Sequence, residues 1–383
     1  MINVQNLDEC CGCEACCNIC PRKCIQMELR DGFYYPTVEE SSCIQCGLCE
    51  KVCPQQSRHT SPTAFENIGF AARIKDESAR MKSTSGGIAY LMAKKIIALG
   101  GVAYGVVFDD EFQTVLGRVD NLGDIEKLQG SKYPQCRIFN GYSTIKKDLR
   151  KGIPVIVCAT PCQIYGLSLF LGKKYDNLFL VDLICHGVPS PSIWKNYLEE
   201  LFPQKNIRQI AFKHKRNGWK RWSVYIRSDD RQQFKERTDD PYMSSYLSGL
   251  NVRPSCYSCL FKGKQRASDI TIADAWGKPE SDAFLNDGKG LSSVIINTQK
   301  GYTFFETLEP DIVFHEYSVA DLTAGNGAYY LSIKKNILRS AFMTELQEKR
   351  AIDILRKYSM KTIRGKMSIK ITNVLARRYT RNG

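Results

Sequence analysis

Cys10, Cys13, Cys16 and Cys20, the last followed by Pro21, recur 33 residues later as Cys43, Cys46, Cys49 and Cys53, again before a proline, Pro54. Thiolate is the ligand that iron in a cluster prefers, and a cubane needs four thiolates converging on its corners. Three closely spaced cysteines wrap one cluster, and the fourth, held ahead of a proline, crosses to the other. The spacing therefore predicts two 4Fe-4S clusters. One takes Cys10, Cys13, Cys16 and Cys53; the other takes Cys43, Cys46, Cys49 and Cys20. Structural zinc seldom uses three cysteines so close together before a Cys-Pro, and seldom in duplicate. Cys11, Cys17 and Cys24 fall out of register and read as small buried residues.

Six further cysteines are scattered from 136 to 259. Cys162, in Thr160-Pro161-Cys162-Gln163, and Cys185, in Cys185-His186-Gly187, each follow a short apolar run that reads as a buried strand. Open α/β sheets place their ligands at such strand ends. Cys256 and Cys259 form a C-x2-C after Arg253-Pro254-Ser255. By spacing, these four could meet at a further metal centre, with zinc and unliganded thiols as competing readings. Cys136 and Cys158 read as buried thiols. Ser85-Gly86-Gly87 opens a helix and could offer backbone N–H groups to an anion, although a plain N-cap is an equal reading. Gly130-Ser131-Lys132-Tyr133 is a second segment of small residues with a cation. No G-x-G-x-x-G follows a strand, and there is no G-x-S-x-G and no P-loop.

The elements that must position these groups alternate in type. A short hairpin around Asp31-Gly32 separates the two cysteine repeats, and a polar linker covers 55–66. From 67 to 320, helical and strand patterns alternate around one main sheet, a mixed α+β, or α/β, class. The uncharged stretch Ile153–Gly172 contains Pro154, Pro161 and Gln163 and reads as strand–turn–helix, not as a membrane span. Hydrophobic residues make up 43% and charged residues 25%, which excludes a wholly disordered chain. The opening MINVQNLDEC lacks the apolar run of a signal peptide, so a reduced, cytoplasmic setting is expected for 17 cysteines. Lys and Arg exceed Asp and Glu by 54 to 40. Of that excess of 14, residues 334–383 hold 11, with 14 basic and 3 acidic residues. This stretch reads as one or two surface helices, either simply solvated or meeting a lipid surface or an acidic partner. Nucleic acid is not expected, because no base-reading motif or aromatic interleaving accompanies the charge.

The strings STSGG (83–87), LQGSKYPQ (128–135), ATPCQIYGL (159–167), DLICHGVPSPSIWKNYL (182–198), KHKRNGW (213–219), RPSCYSCLFKGKQRASDITIADAWG (253–277) and GLSSVIINTQKG (290–301) occur in one order. Together they resemble the coenzyme F(420) hydrogenase/dehydrogenase beta-subunit family, in its bacterial branch with a fused ferredoxin. The resemblance implies three domains. They are a bacterial-type two-cluster ferredoxin fold over 1–58, an α/β FAD and iron–sulfur oxidoreductase domain without a Rossmann motif over 66–320, and a basic helical tail over 334–383. It implies a third 4Fe-4S cluster on Cys162, Cys185, Cys256 and Cys259. It implies FAD with its pyrophosphate at Ser85, Gly86 and Gly87, its flavin near Ser131, Lys132 and Tyr133, and further contacts from Asp274 and Trp276. His186 becomes a candidate proton donor. Lys213, Lys215, Arg216, Lys262, Lys264 and Arg266 are expected to flank an anionic small-molecule substrate. The expected function is an iron–sulfur flavoprotein oxidoreductase exchanging electrons with a redox protein. The rival is a non-catalytic electron-transfer subunit docked on a larger hydrogenase or dehydrogenase. Gly86→Asp is expected to repel FAD while leaving the fold intact.

Overall fold

The protein is described by a computed structural model covering residues 2–57, 65–203 and 207–379. Most of the expected linker, 58–64, lies outside the described residues.

The cysteine repeat is also a repeat of backbone shape. Two residues after each leading cysteine the chain turns left-handed, at Gly12 (φ 70°) and Gln45 (φ 51°). It does so again two residues later, at Glu14 (φ 59°) and Gly47 (φ 71°). Each second turn caps a short helix, Ala15–Ile19 and Leu48–Lys51. Such turns let three neighbouring cysteines point to one side. Only glycine adopts them without strain, so Glu14 and Gln45 carry a steric cost. Between the helices, Ile25–Arg30 and Phe33–Val38 form the antiparallel hairpin, closed at Asp31 and Gly32.

Eight strands form the main sheet, in the order Ile312–Tyr317, Ile68–Ile74, Ser292–Ile296, Ile270–Asp274, Leu178–Leu183, Val155–Cys158, Val102–Phe108 and Thr114–Val119. The four strands from Ile270–Asp274 to Val102–Phe108 are parallel and the flanking pairings are antiparallel. Both faces are covered, and side chains alternate between them with the period of two that a strand imposes. Ala103 and Ile156 pack with Ile88, Met92 and Ile96 of one helix layer. Val102, Tyr104, Val155 and Val157 pack with Tyr142, Ile164 and Leu167 of the other. Cys13, Ala15 and Val52 belong to that second cluster, so the cysteine module is part of the core and not an appendage.

A three-stranded sheet (Ile207–His214, Ser223–Ser228, Gln232–Glu236) builds a second core with Trp194, Tyr197, Tyr242 and Tyr246. The expectation of a solvated tail is corrected here. Phe342, Ile352, Ile354, Leu355 and Tyr358 are buried in this second core. Apolar burial of that size outweighs the basic charge carried on the outer faces of the same helices. Only the last helix, Ile363–Tyr379, lies on the surface as expected.

Candidate functional site: three cysteine-lined cavities

The module contains two cavities, and each collects one of the expected quartets. Cys10, Cys13, Cys16 and Cys53 line the first. Cys20, Cys43, Cys46 and Cys49 line the second. The pre-proline cysteine of each repeat thus reaches across to the other repeat's trio.

The third cavity opens where adjacent parallel strands end. Val155–Cys158 runs into the helix Pro161–Leu171 through a cap in which Gln163 Oε1 accepts from the Thr160 N–H (3.2 Å) and from its hydroxyl (2.9 Å). That cap sets Cys162 on the first helical turn. Leu178–Leu183 ends just before Cys185. Cys256 and Cys259 come from a 3-10 turn that Pro254 begins. Cys162, Cys185, Cys256 and Cys259 all line this cavity, with Tyr133, Lys262 and Arg266.

Cys11 and Gly12 line both the first and the third cavity, so they form a shared wall. The Cys11 thiol stands beside Cys13 on one side and Cys162 on the other. The out-of-register cysteines are therefore more than filler. Cys17 stands beside Cys16, and the Cys24 sulfur stands 3.4 Å from that of Cys20. Spacing could not reveal this. The only signal available was that three extra thiols sat inside the same 15 residues.

Three features suit these cavities to anionic clusters. Backbone N–H groups point at sulfur, from Ile2 to Cys49 (3.3 Å), Gly12 to Cys10 (3.4 Å) and Gly187 to Cys185 (3.3 Å). Arg253 is wholly buried between Cys10 and Cys256. Its guanidinium donates to the Cys10 carbonyl (2.8 Å), the Tyr34 carbonyl (3.1 Å) and Gln135 (2.9 Å), and lies over the Tyr35 ring, while Nη2 has no partner among the described residues. A buried cation with an idle donor is costly unless negative charge stands nearby. Among the described residues, no three His, Cys, Asp or Glu side chains converge tightly enough for a single metal ion. The cysteines surround voids instead, which is what a cubane requires and a tetrahedral zinc does not.

The module is fastened to this wall by polar contacts as well. Buried Glu14 accepts from Arg137 (2.7 Å) and from the backbone of Ile138 and Phe139 (3.1 Å each). The Ser190 hydroxyl donates to the Gly32 carbonyl at 2.6 Å.

The residues expected at FAD converge on one region, at the end of the strand Ile270–Asp274. Lys213 is ion-paired with Asp274, which also accepts from the Trp219 indole at 3.1 Å. Trp219 and half-buried Trp276 stack at 4.2 Å. Tyr133 lies beside Lys213. Burial pulls the Lys213 ammonium down, but the Asp274 carboxylate outweighs it and holds the ammonium above its ordinary value. This flat apolar face with a fixed cation has the chemistry of an aromatic-ring site. The smaller groups are already engaged. Ser85 donates to Leu291 O (2.5 Å), Ser131 pairs with Thr84 (3.0 Å), and Lys132 donates to the carbonyls of Lys127 and Gln129 (2.7 Å each). Gly86 is pressed into the sheet, where a Cβ would come within 2.3 Å of Ala72 O, and Gly87 caps the next helix at φ 87°. These groups offer a pyrophosphate no unpaired side-chain donor.

Burial and then Lys262 push the His186 imidazole down to about 4. Its buried Nε2 has no partner among the described residues. The basic segments are not a solvated anion trap. Lys213 is paired with Asp274, and Lys215 donates to three backbone carbonyls. Lys262 donates to the carbonyls of Cys185 and Ala328, and Arg266 meets buried Asp182. Arg216 and Lys264 alone are exposed. Cys136 and Cys158 are shielded thiols, as expected, and burial pushes Cys158 up to about 12.

Residues 154–327 match the family described as the C terminus of the coenzyme F420 hydrogenase/dehydrogenase beta subunit, and residues 36–57 match the 4Fe-4S binding domain. A chain of the F420-reducing [NiFe] hydrogenase complex from Methanosarcina barkeri is similar in structure, with 16% identity and a TM-score of 0.46 over 80% of this chain and 97% of that one. No curated protein sequence matches.

Proposed function

From the premise that this chain is a member of the coenzyme F420 hydrogenase/dehydrogenase beta-subunit family, joined to a 4Fe-4S binding domain, we propose that it carries electrons through three 4Fe-4S clusters. They run between a protein partner at the module and a redox reaction at the sheet. One observation carries the reading: each expected quartet lines its own cavity, and Cys11 and Gly12 wall the first from the third. In this reading the twelve cysteines are the ligands. The clusters supply one-electron transfer. The protein supplies charge balance through Arg253 and the N–H groups that face sulfur, and it excludes water by packing the module into the core. The second cavity is the outward end, since Cys46 and Ile44 are exposed there, and Ile44 gives a partner an apolar contact.

FAD is the proposed two-electron group, with Tyr133, Asp274 and Trp276 as the residues that would hold its ring. Its pyrophosphate anchor is not assigned to Ser85, Gly86 or Gly87. The chain's own contribution there is a fixed Lys213–Asp274 pair beside a stacked tryptophan face. The test is anaerobic purification with iron, sulfide, zinc and flavin quantified. The expected protein is brown, with about twelve irons per chain at four per cubane. Eight would remove the third cluster from the reading, and stoichiometric zinc without iron would end it.

A further inference from the structure

The last helix, Ile363–Tyr379, has two faces that do different work. Its inner face is small and polar. Gly365 sits so close to the preceding turn that a Cβ would lie 2.0 Å from Ser359 O. Ser368 accepts from Asn336 (3.2 Å), and Thr372 accepts from the Ile337 backbone (3.2 Å). These contacts fix the helix's roll. Its outer face is consequently apolar: Ile363 is 79% exposed and Met367 57%, and Ile371, Val374 and Leu375 are exposed beyond them. The spacing of four, four, three and one keeps them on a single stripe. Lys366 and Lys370 flank the stripe and are exposed. The sequence has nine Lys or Arg and no Asp or Glu after Asp353. A buried face would have been cheaper to build from these same apolar residues, so a stripe held outward calls for an apolar acceptor.

We propose that this helix lies in the plane of an anionic lipid bilayer, its apolar stripe in the acyl boundary and its lysines among the headgroups. Charge decides the occupant. A stripe on a helix that carries cations and no carboxylate of its own suits a negative surface with a greasy interior. A second copy of the chain would bring the same positive rim against itself. No helix among the described residues is long and apolar enough to cross a membrane, so the contact is peripheral.

Flotation of the anaerobic full-length holoprotein tests this. It should rise with vesicles of phosphatidylcholine containing phosphatidylglycerol, stay down with phosphatidylcholine alone, and be released by salt. Met367→Glu/Ile371→Glu should abolish flotation while iron content and thermal unfolding stay unchanged. Lys366→Gln/Lys370→Gln should weaken it about 25-fold, about fivefold for each lost charge. No flotation on the anionic vesicles would overturn the proposal, as would undiminished flotation of Met367→Glu/Ile371→Glu. A concentration-dependent dimer that Met367→Glu/Ile371→Glu splits would also overturn it and assign the stripe to a second copy.

Discussion

Gly166 faces the Cys13 sulfur so closely that a Cβ at 166 would lie 2.9 Å from it. The helix that presents Cys162 to the third cavity thus also forms the floor beneath a cysteine of the first. Gly166→Ala should push Cys13 out of place and cost about 1–3 kcal/mol by overpacking. The measurable sign is a loss of about four irons per chain. Wild-type iron content in Gly166→Ala would show that the floor yields.

Cys259→Ala should remove one cluster's worth of iron, about four atoms, and leave the module's signals intact in the reduced-state electron paramagnetic resonance spectrum. Cys158→Ala, which removes a shielded thiol outside the quartets, should keep all of its iron. Equal iron in Cys259→Ala and wild type would make the C-x2-C a bystander.

Cys24 offers a spare sulfur 3.4 Å from Cys20. Cys20→Ala should therefore keep most of its second-cavity iron with an altered spectrum, whereas Cys20→Ala/Cys24→Ala should lose about four irons. Identical iron content in the two variants would deny Cys24 that role.

Ile44→Glu should slow electron transfer from a reduced ferredoxin-type donor by roughly tenfold, as loss of one apolar anchor does at an interface. Iron content should not change. An unchanged rate would move the docking point away from the second cavity.

Arg253→Met should lower stability by about 3 kcal/mol, because three acceptors lose their donor inside the protein. A thermal scan should then resolve two transitions, the module melting before the sheet. A single cooperative transition in Arg253→Met would place the coupling in Glu14 and Arg137 instead.

How much of this was legible in the sequence depended on the range of the contact. That each module quartet shares one cavity was readable because the motif's spacing is local, and the crossing cysteines are marked by proline. Cys162 and Cys185 were readable because apolar runs announce buried strands, and strand ends announce sites. Lys213 was not. It reads as part of a basic run, and only a pairing across 61 residues with Asp274 shows that it is engaged. Gly86 misled for the same reason. As a helix opener it seemed free to accept a carboxylate, but Ala72 and Ser292 close over it. Gly86→Asp is now expected to yield insoluble protein, and it cannot report on FAD. The tail's charge hid the apolar residues that bury Phe342 and Leu355, because a count of cations does not show which face carries them.

Arg253 gives the molecule an order of construction. It grips the Cys10 carbonyl, and its own carbonyl accepts from the Cys256 backbone at 3.0 Å, so one residue ties the first cavity to a thiol of the third. Synthesis delivers residues 1–57 long before residue 253, and N-terminal units fold first as they emerge. The first two cavities are lined by residues 2–56 alone, whereas the third draws its lining from residues 11 to 328. Its wall is therefore complete only after Arg253 closes on Cys10, and the third cavity depends on the first for its shape.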